Sequence, residues 1–166
     1  MANQSSFDVT STIDFAEVDN ALNQARKEVA QRYDFKAVTA EITLNPTDKT
    51  LTLVADDEFK MNALWEIVQT RLVRRGVPIK NFKAPESEAA AGGKVRRVIP
   101  IQQGIPIEAA REIVKFIKDK KLKKVQAAIQ ADQVRVTSPS KDELQLAMQT
   151  LRDHDFGVAL QFGNYR

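Results

Sequence analysis

The chain has 166 residues, 28% charged and 43% hydrophobic, with a net charge of +3 and no cysteine. That length holds one ordinary domain or two small ones, and the mix is globular rather than disordered. Disulfides and thiolate chemistry are excluded, no run reaches the roughly 18 apolar residues of a membrane span, and "MANQSSFDVT" lacks the basic and apolar regions of a signal peptide, so a cytoplasmic protein away from membranes is expected.

In chain order, "FDVTSTID" alternates Phe7, Val9, Ser11 and Ile13 against polar residues, which predicts a strand. Asp14 caps a following helix, with Glu17 in capping-box position and an apolar stripe of Phe15, Val18, Leu22, Ala25 and Val29. After "RYDFK", a second strand alternates Val38, Ala40, Ile42 and Leu44; "NPTDK" turns into a third around Leu51 and Leu53. Asp56 and Asp57 open a second helix carrying Leu64, Ile67, Val68 and Leu72, Gly76 stops it, and a short fourth strand is expected near Val77 to Phe82.

Ala84 to Gly93, "APESEAAAGG", has linker composition. The cycle then repeats: a strand in "KVRRVIPI", a helix after Pro106 with Ala110, Ile113, Val114 and Ile117, and strands in "VQAAIQ" and "QVRVTS". A helix capped by Ser140 and Glu143 follows, and a last strand holds Val158, Leu160 and Phe162. Twice strand-helix-strand-strand-helix-strand is the order of the split βαβ unit, which predicts an α+β fold of two tandem ferredoxin-like domains; one continuous sheet is the second choice.

Charge divides unevenly. To Gly92 there are 11 basic and 14 acidic residues; from Gly93 on, 14 and 8. Six lysines between Lys115 and Lys124 stand against one acid, Asp119. Lys115 and Lys118 lie opposite the apolar stripe and need no explanation beyond solvation, whereas "KDKKLKK" exceeds what a helix C-terminus asks for. On the excess of the run as a whole, Lys115, Lys118, Lys121 and Lys124 are candidate nucleic-acid contacts.

If Val125, Ala127, Ile129, Val134, Val136, Leu160 and Phe162 face the helices, the opposite sheet face shows Gln126, Gln130, Gln133, Arg135 and Gln161. This face is suited to base edges and a phosphate but lacks the aromatic platform of RNA-recognition domains. In "RYDFK", Tyr33 and Phe35 are candidates to stack on a base and Arg32 and Lys36 to meet phosphate; the competing reading buries Phe35 and pairs Arg32 with Asp34. The tail "QFGNYR" reads as a docked end or part of a pocket, with Arg166 a candidate ligand. Candidate nucleotide contacts are thus Gln126, Gln130, Arg135, Gln161, Arg166, Arg32, Phe35 and Lys36.

"ADDEFK" reads as helix capping before metal binding, and His154, the only histidine, as a surface residue at a helix end. No phosphate loop or nucleophile elbow occurs. No catalytic residue, metal or cofactor is called for, and a non-enzymatic protein is expected.

Taken together, "SFDVTSTID", "RYDFK", "ADDEFK", "VQAAIQADQVRVTS", "DELQ" and "DFGVALQFGNYR" closely resemble the YajQ family of small bacterial proteins. The resemblance implies two ferredoxin-like domains with exchanged N-terminal strands. One domain would span 14–104, including the strand near 95–101; the other would join 1–13 to 105–166, with 84–93 as linker. It implies nucleotide binding: cyclic-di-GMP in effectors that relay the signal to a transcriptional regulator, and tRNA or other nucleic acid in other members. A monomer is expected. At "TSPSKDELQ" the chain departs from the family, because relatives usually carry Gly and further basic residues where Ser138 to Ser140 stand. This trims positive charge beside Arg135; separately, the resemblance does not supply a pocket residue by residue.

Overall fold

The structure is a computed structural model and describes residues 4–122 and 124–166; Lys123 of the lysine run lies outside them. The described residues form, in chain order, β1 (Ser5–Thr10), α1 (Phe15–Gln31), β2 (Ala40–Asn45), β3 (Thr50–Ala55), α2 (Glu58–Arg74), β4 (Glu88–Ala89), β5 (Val95–Pro100), α3 (Ile107–Asp119), β6 (Gln126–Gln130), β7 (Gln133–Ser138), α4 (Lys141–Arg152) and β8 (Gln161–Gly163). They form two antiparallel four-stranded sheets, ordered β6-β7-β1-β8 and β2-β3-β5-β4. The fold is α+β with two ferredoxin-like sheets, each with two helices on one face.

Two compact units result. Ile13–Gln102 is one; the chain before Ile13 joins Gln103–Arg166 in the other. The C-terminal unit's sheet takes its interior strand β1 from the N-terminal end of the sequence, and the sheet of Ile13–Gln102 takes β5, the strand that follows the Ala84–Gly93 stretch. β1 lies between β7 and β8 and pairs Phe7 with Val136 and Val9 with Val134. β5 lies between β3 and β4 and pairs Leu51 with Ile99. The alternation explains why both strands insert: Phe7, Val9 and Ile99 are essentially inaccessible to solvent. Two separate cores follow, one around Leu22, Leu53, Leu64 and Leu72, the other around Phe7, Ile113, Val136 and Leu151.

Caps fix the helix starts. Asp14 accepts from the backbone N–H groups of Ala16 and Glu17, Asp57 from Lys60, and Ser140 from Glu143. α2 ends at Arg74, and Gly76 just beyond it turns the chain with a φ of +75°, open to glycine without strain.

The strand expected at Val77 to Phe82 does not form. Ile79–Asn81 is a 3-10 turn, closed by Phe82 N–H donating to the Ile79 carbonyl at 2.9 Å. Pro78 has no N–H for a ladder, and Val77 and Phe82 plug the core instead. Only Phe82 bridges to the sheet, at Ile101. The fourth strand is Glu88–Ala89, inside the Ala84–Gly93 stretch, folded back on Val95 and Arg96. No helix among the described residues is long and apolar enough to cross a membrane.

Candidate functional site

The sheet alternation determines what faces away from the helices in the C-terminal unit. Asp8 and Arg135 stand directly opposite across β1 and β7, on the face that carries no helices. Arg135 Nε donates to Asp8 Oδ1 at 2.9 Å and Nη2 to Oδ2 at 3.4 Å; Asn164 Nδ2 donates to Oδ2 at 2.6 Å. Asp8 is only 6% exposed. The Arg135 guanidinium holds its carboxyl below the usual carboxylate range, against the opposing push of burial. Arg135 is thus engaged by a carboxylate rather than presented to a phosphate.

Gln161 is likewise committed. Its Oε1 accepts from the Thr12 hydroxyl at 2.6 Å and from the Thr12 N–H at 3.1 Å, while Nε2 donates to the Thr12 carbonyl at 3.0 Å. This clamps the chain as it leaves β1. Gln126 and Gln130 are exposed on β6, the outermost strand.

Arg32, Phe35 and Lys36 lie in the N-terminal unit. Arg32 forms a two-pronged pair with Asp34, Nε to Oδ1 at 2.9 Å and Nη2 to Oδ2 at 2.7 Å. Phe35 is buried at 5% exposure, so its ring is unavailable to a base. Tyr33 is the exposed aromatic of that turn, with Lys36 Nζ 5.9 Å from its ring centre. Arg32 and Phe35 therefore follow the packing reading of "RYDFK".

The acids of "ADDEFK" are occupied. Asp56 accepts from the Thr39 N–H, Asp57 caps α2, and Glu58 pairs with Arg97 at 2.9 Å. His154 stacks against Phe116 and Phe156, with ring centres 4.4 and 4.6 Å away, and its Nε2 lies 3.5 Å from Glu112.

α3 stops at Asp119, earlier than the lysine pattern suggests. Lys121 and Lys124 adopt left-handed backbone, φ 51° and 60°, so they stand on a turn rather than a helix face. Lys115, Lys118, Lys121 and Lys124 are all exposed, and none forms an ion pair among the described residues.

Arg166 leads to a cleft that the sequence hardly announced. Beyond β8, left-handed Asn164 redirects the tail. Arg166 then exchanges backbone hydrogen bonds with Ser6, at 3.2 and 3.0 Å, extending the pairing along β1. Between this tail and α4 lies a cleft of about 370 Å³, floored by Phe7, Leu144 and Met148 and rimmed by Lys141, Tyr165 and Arg166. Tyr165 is 60% exposed, and its hydroxyl reaches Met148 Sδ at 3.8 Å and the Phe162 carbonyl at 3.4 Å. Ser5, Ser6 and Gln145 add hydrogen-bonding groups. An apolar floor with a few convergent cations and polar groups is the general form of a small-molecule site.

Lys141 and Gln145 were missing from the sequence-based site. One signal was present: Lys141 is the first residue of α4, where the macrodipole disfavours a cation.

The family described as "Nucleotide-binding protein YajQ-like" matches residues 5–166. Proteins named nucleotide-binding protein are similar over almost their full lengths. That of Elusimicrobium minutum is 46% identical over 161 residues, 97% of this chain and 98% of its own. That of Solibacter usitatus is 48% identical over 97% of this chain and 96% of its own, and that of Chloroherpeton thalassium 44% over all of both. The chain belongs to the YajQ-like family of nucleotide-binding proteins.

Proposed function

We propose that the cleft beside the C-terminal tail binds a guanine nucleotide, cyclic-di-GMP in the first instance, without transforming it. The observation that carries this reading is the meeting of Lys141, Tyr165 and Arg166 around one apolar floor. Tyr165 offers a face for a base, Lys141 and Arg166 charge for phosphate, and Gln145 with Ser5 and Ser6 partners for the base edge. The volume suits one nucleotide moiety, with the second half of a cyclic dinucleotide along the rim. On this reading the protein is an effector that signals through a regulatory partner rather than an enzyme.

Calorimetry at low salt tests this. Micromolar binding of cyclic-di-GMP is expected, weakened about tenfold or more by Tyr165→Ala and by Lys141→Glu with the circular dichroism unchanged. Absence of binding by the native chain, or binding indifferent to both substitutions, sinks the assignment.

The exposed, unpaired lysines support a second reading, contact with tRNA or another RNA through phosphate. Filter binding across a salt series checks it, since each neutralised phosphate releases counterions and steepens the salt dependence. Lys121→Glu with Lys124→Glu should flatten that slope; an unchanged slope returns the lysines to plain solvation.

A further inference from the structure

A sheet edge carries unpaired N–H and C=O groups, and proteins ordinarily blunt it. Two sheets have four edges, and three of these are blunted. On β2, Arg26 donates from both Nε and Nη2 to the Ile42 carbonyl, at 3.2 and 2.8 Å, occupying the edge with a cation. β4 is two residues long and holds an ion pair, Glu88 with Arg96. β8 has three residues, and left-handed Asn164 interrupts the edge behind it.

β6 is different. It has five residues, "QAAIQ", with no charge, proline or glycine, and four of the five are exposed. Among the described residues it pairs with β7 only. Gln130 pairs with Gln133 across the turn at Ala131 and Asp132. Counting back from this closing pair, the antiparallel alternation turns the N–H and C=O groups of Ala127 and Ile129 outward. Among the described residues no hydrogen bond reaches them. Within the strand itself, no charge, proline or bulge opposes pairing along this ladder of donors and acceptors.

The charge beside the edge selects the occupant. α3 packs over β6 and carries exposed Lys115 and Lys118, and Lys121 and Lys124 stand on the turn that leads into the strand. These cations have no acidic partner among the described residues, whereas the strand itself is neutral. We propose that the β6 edge takes an extended acidic segment of a partner protein by strand addition, its main chain completing the ladder and its carboxylates meeting Lys121 and Lys124. RNA would satisfy the lysines but leave the outward N–H groups of Ala127 and Ile129 unpaired, so the edge favours a polypeptide. The surface is separate from the tail cleft, and neither proposal depends on the other.

The test uses the full chain, labelled with ¹⁵N, and a capped nine-residue peptide alternating glutamate and valine. Saturable binding is expected, with amide hydrogen exchange slowed at Ala127 and Ile129. The same peptide N-methylated on its edge-facing residues, and a lysine–valine peptide, should fail to do this. Lys121→Glu with Lys124→Glu should weaken binding about tenfold. Ala127→Pro, which removes an outward donor at an edge position that tolerates proline, should abolish it without altering the melting curve. Four results overturn the proposal: no slowing at Ala127 and Ile129, equal binding of the N-methylated peptide, the same protection produced by oligouridylate, or self-association of the chain through this edge. If Ala127→Pro is unfolded, the N-methylated peptide decides alone.

Discussion

The two units are built on one plan and secure their inserted strands differently. In the C-terminal unit, β1 brings an acid, Asp8, on the helix-free face; two side chains grip it, and it is nearly fully buried. In the N-terminal unit, β5 brings a cation, Arg97, opposite Leu53 on the helix-facing side. Arg97 is 9% exposed, pairs with Glu58 through Nη2, and leaves its Nε buried without a partner. The first is a satisfied network. The second is a partly satisfied one, whose desolvation cost offsets much of its Coulomb gain. An inserted strand is therefore held in both units mainly by apolar side chains, and only in the C-terminal unit is a charge a substantial addition.

The largest effects should come from those apolar side chains. Phe7→Ala is expected to cost about 3–5 kcal/mol and Ile99→Ala about 2–5 kcal/mol, from lost burial plus the cavity left behind. Trp65, the only tryptophan, packs on the N-terminal core and reports on that unit. In urea, Phe7→Ala should move the circular dichroism midpoint and spare the Trp65 fluorescence midpoint, while Ile99→Ala should move the fluorescence. Coincident shifts of both probes in both variants would show one cooperative body and erase the comparison.

Next in size are the charges. Asp8→Ala removes the partner of Arg135 and of Asn164 and should cost about 1–3 kcal/mol, below the full penalty of a deeply buried pair because Arg135 retains solvent access. Arg97→Met keeps most of the side-chain volume and removes an orphaned donor, so a cost of at most about 1 kcal/mol is expected. Reversal of that order in denaturant titrations would invert the account of how the strands are held.

The same asymmetry sets an acid response. The carboxyl of Asp8 titrates lower when folded than when unfolded. Its contribution is therefore present above the unfolded value of about 3.9 and is lost as pH falls through the folded value. Below about pH 4 the C-terminal unit should lose stability faster than it does with Asp8→Asn, whose titration at this site is abolished. Parallel pH profiles for the two proteins would show that the pair carries no linkage.

Much of this was legible in the residues, and the exceptions have physical causes. Periodicity located both helix pairs and most strands, because each buries one face and its apolar spacing records which. It could not show strand exchange: alternation at Phe7 and Val9 says which side is buried, not against which sheet. The charge count shows the consequence. Cut at Gly92, the halves differ by nine charges. Grouped as the chain folds, Ile13–Gln102 holds 14 basic and 13 acidic residues and the remainder 11 and 9, so the imbalance nearly vanishes once β5 takes Arg96 and Arg97 with it. The pairing of Arg135 with Asp8 was not legible because the two are 127 positions apart. The tail cleft needs Ser6 and Arg166 side by side, a contact between the two ends of the sequence that no local pattern encodes.

The smallest predicted effect concerns function most directly. α2 starts with Asp57 and Glu58, acids that suit a helix N-terminus; α4 starts with Ser140 and then Lys141, a cation that does not. Asp57→Ala should cost about 1 kcal/mol, its cap bond being short and charged. Lys141→Ala should do the opposite, raising stability by about 0.3–1 kcal/mol as an unfavourable charge leaves the positive end of the helix. If the cleft holds phosphate, that gain accompanies a loss of nucleotide affinity. Thermal melts and calorimetry on the one variant measure both quantities. A more stable protein that binds nucleotide less well identifies Lys141 as kept for its ligand at the helix's expense, and a more stable protein that binds equally well removes it from the site.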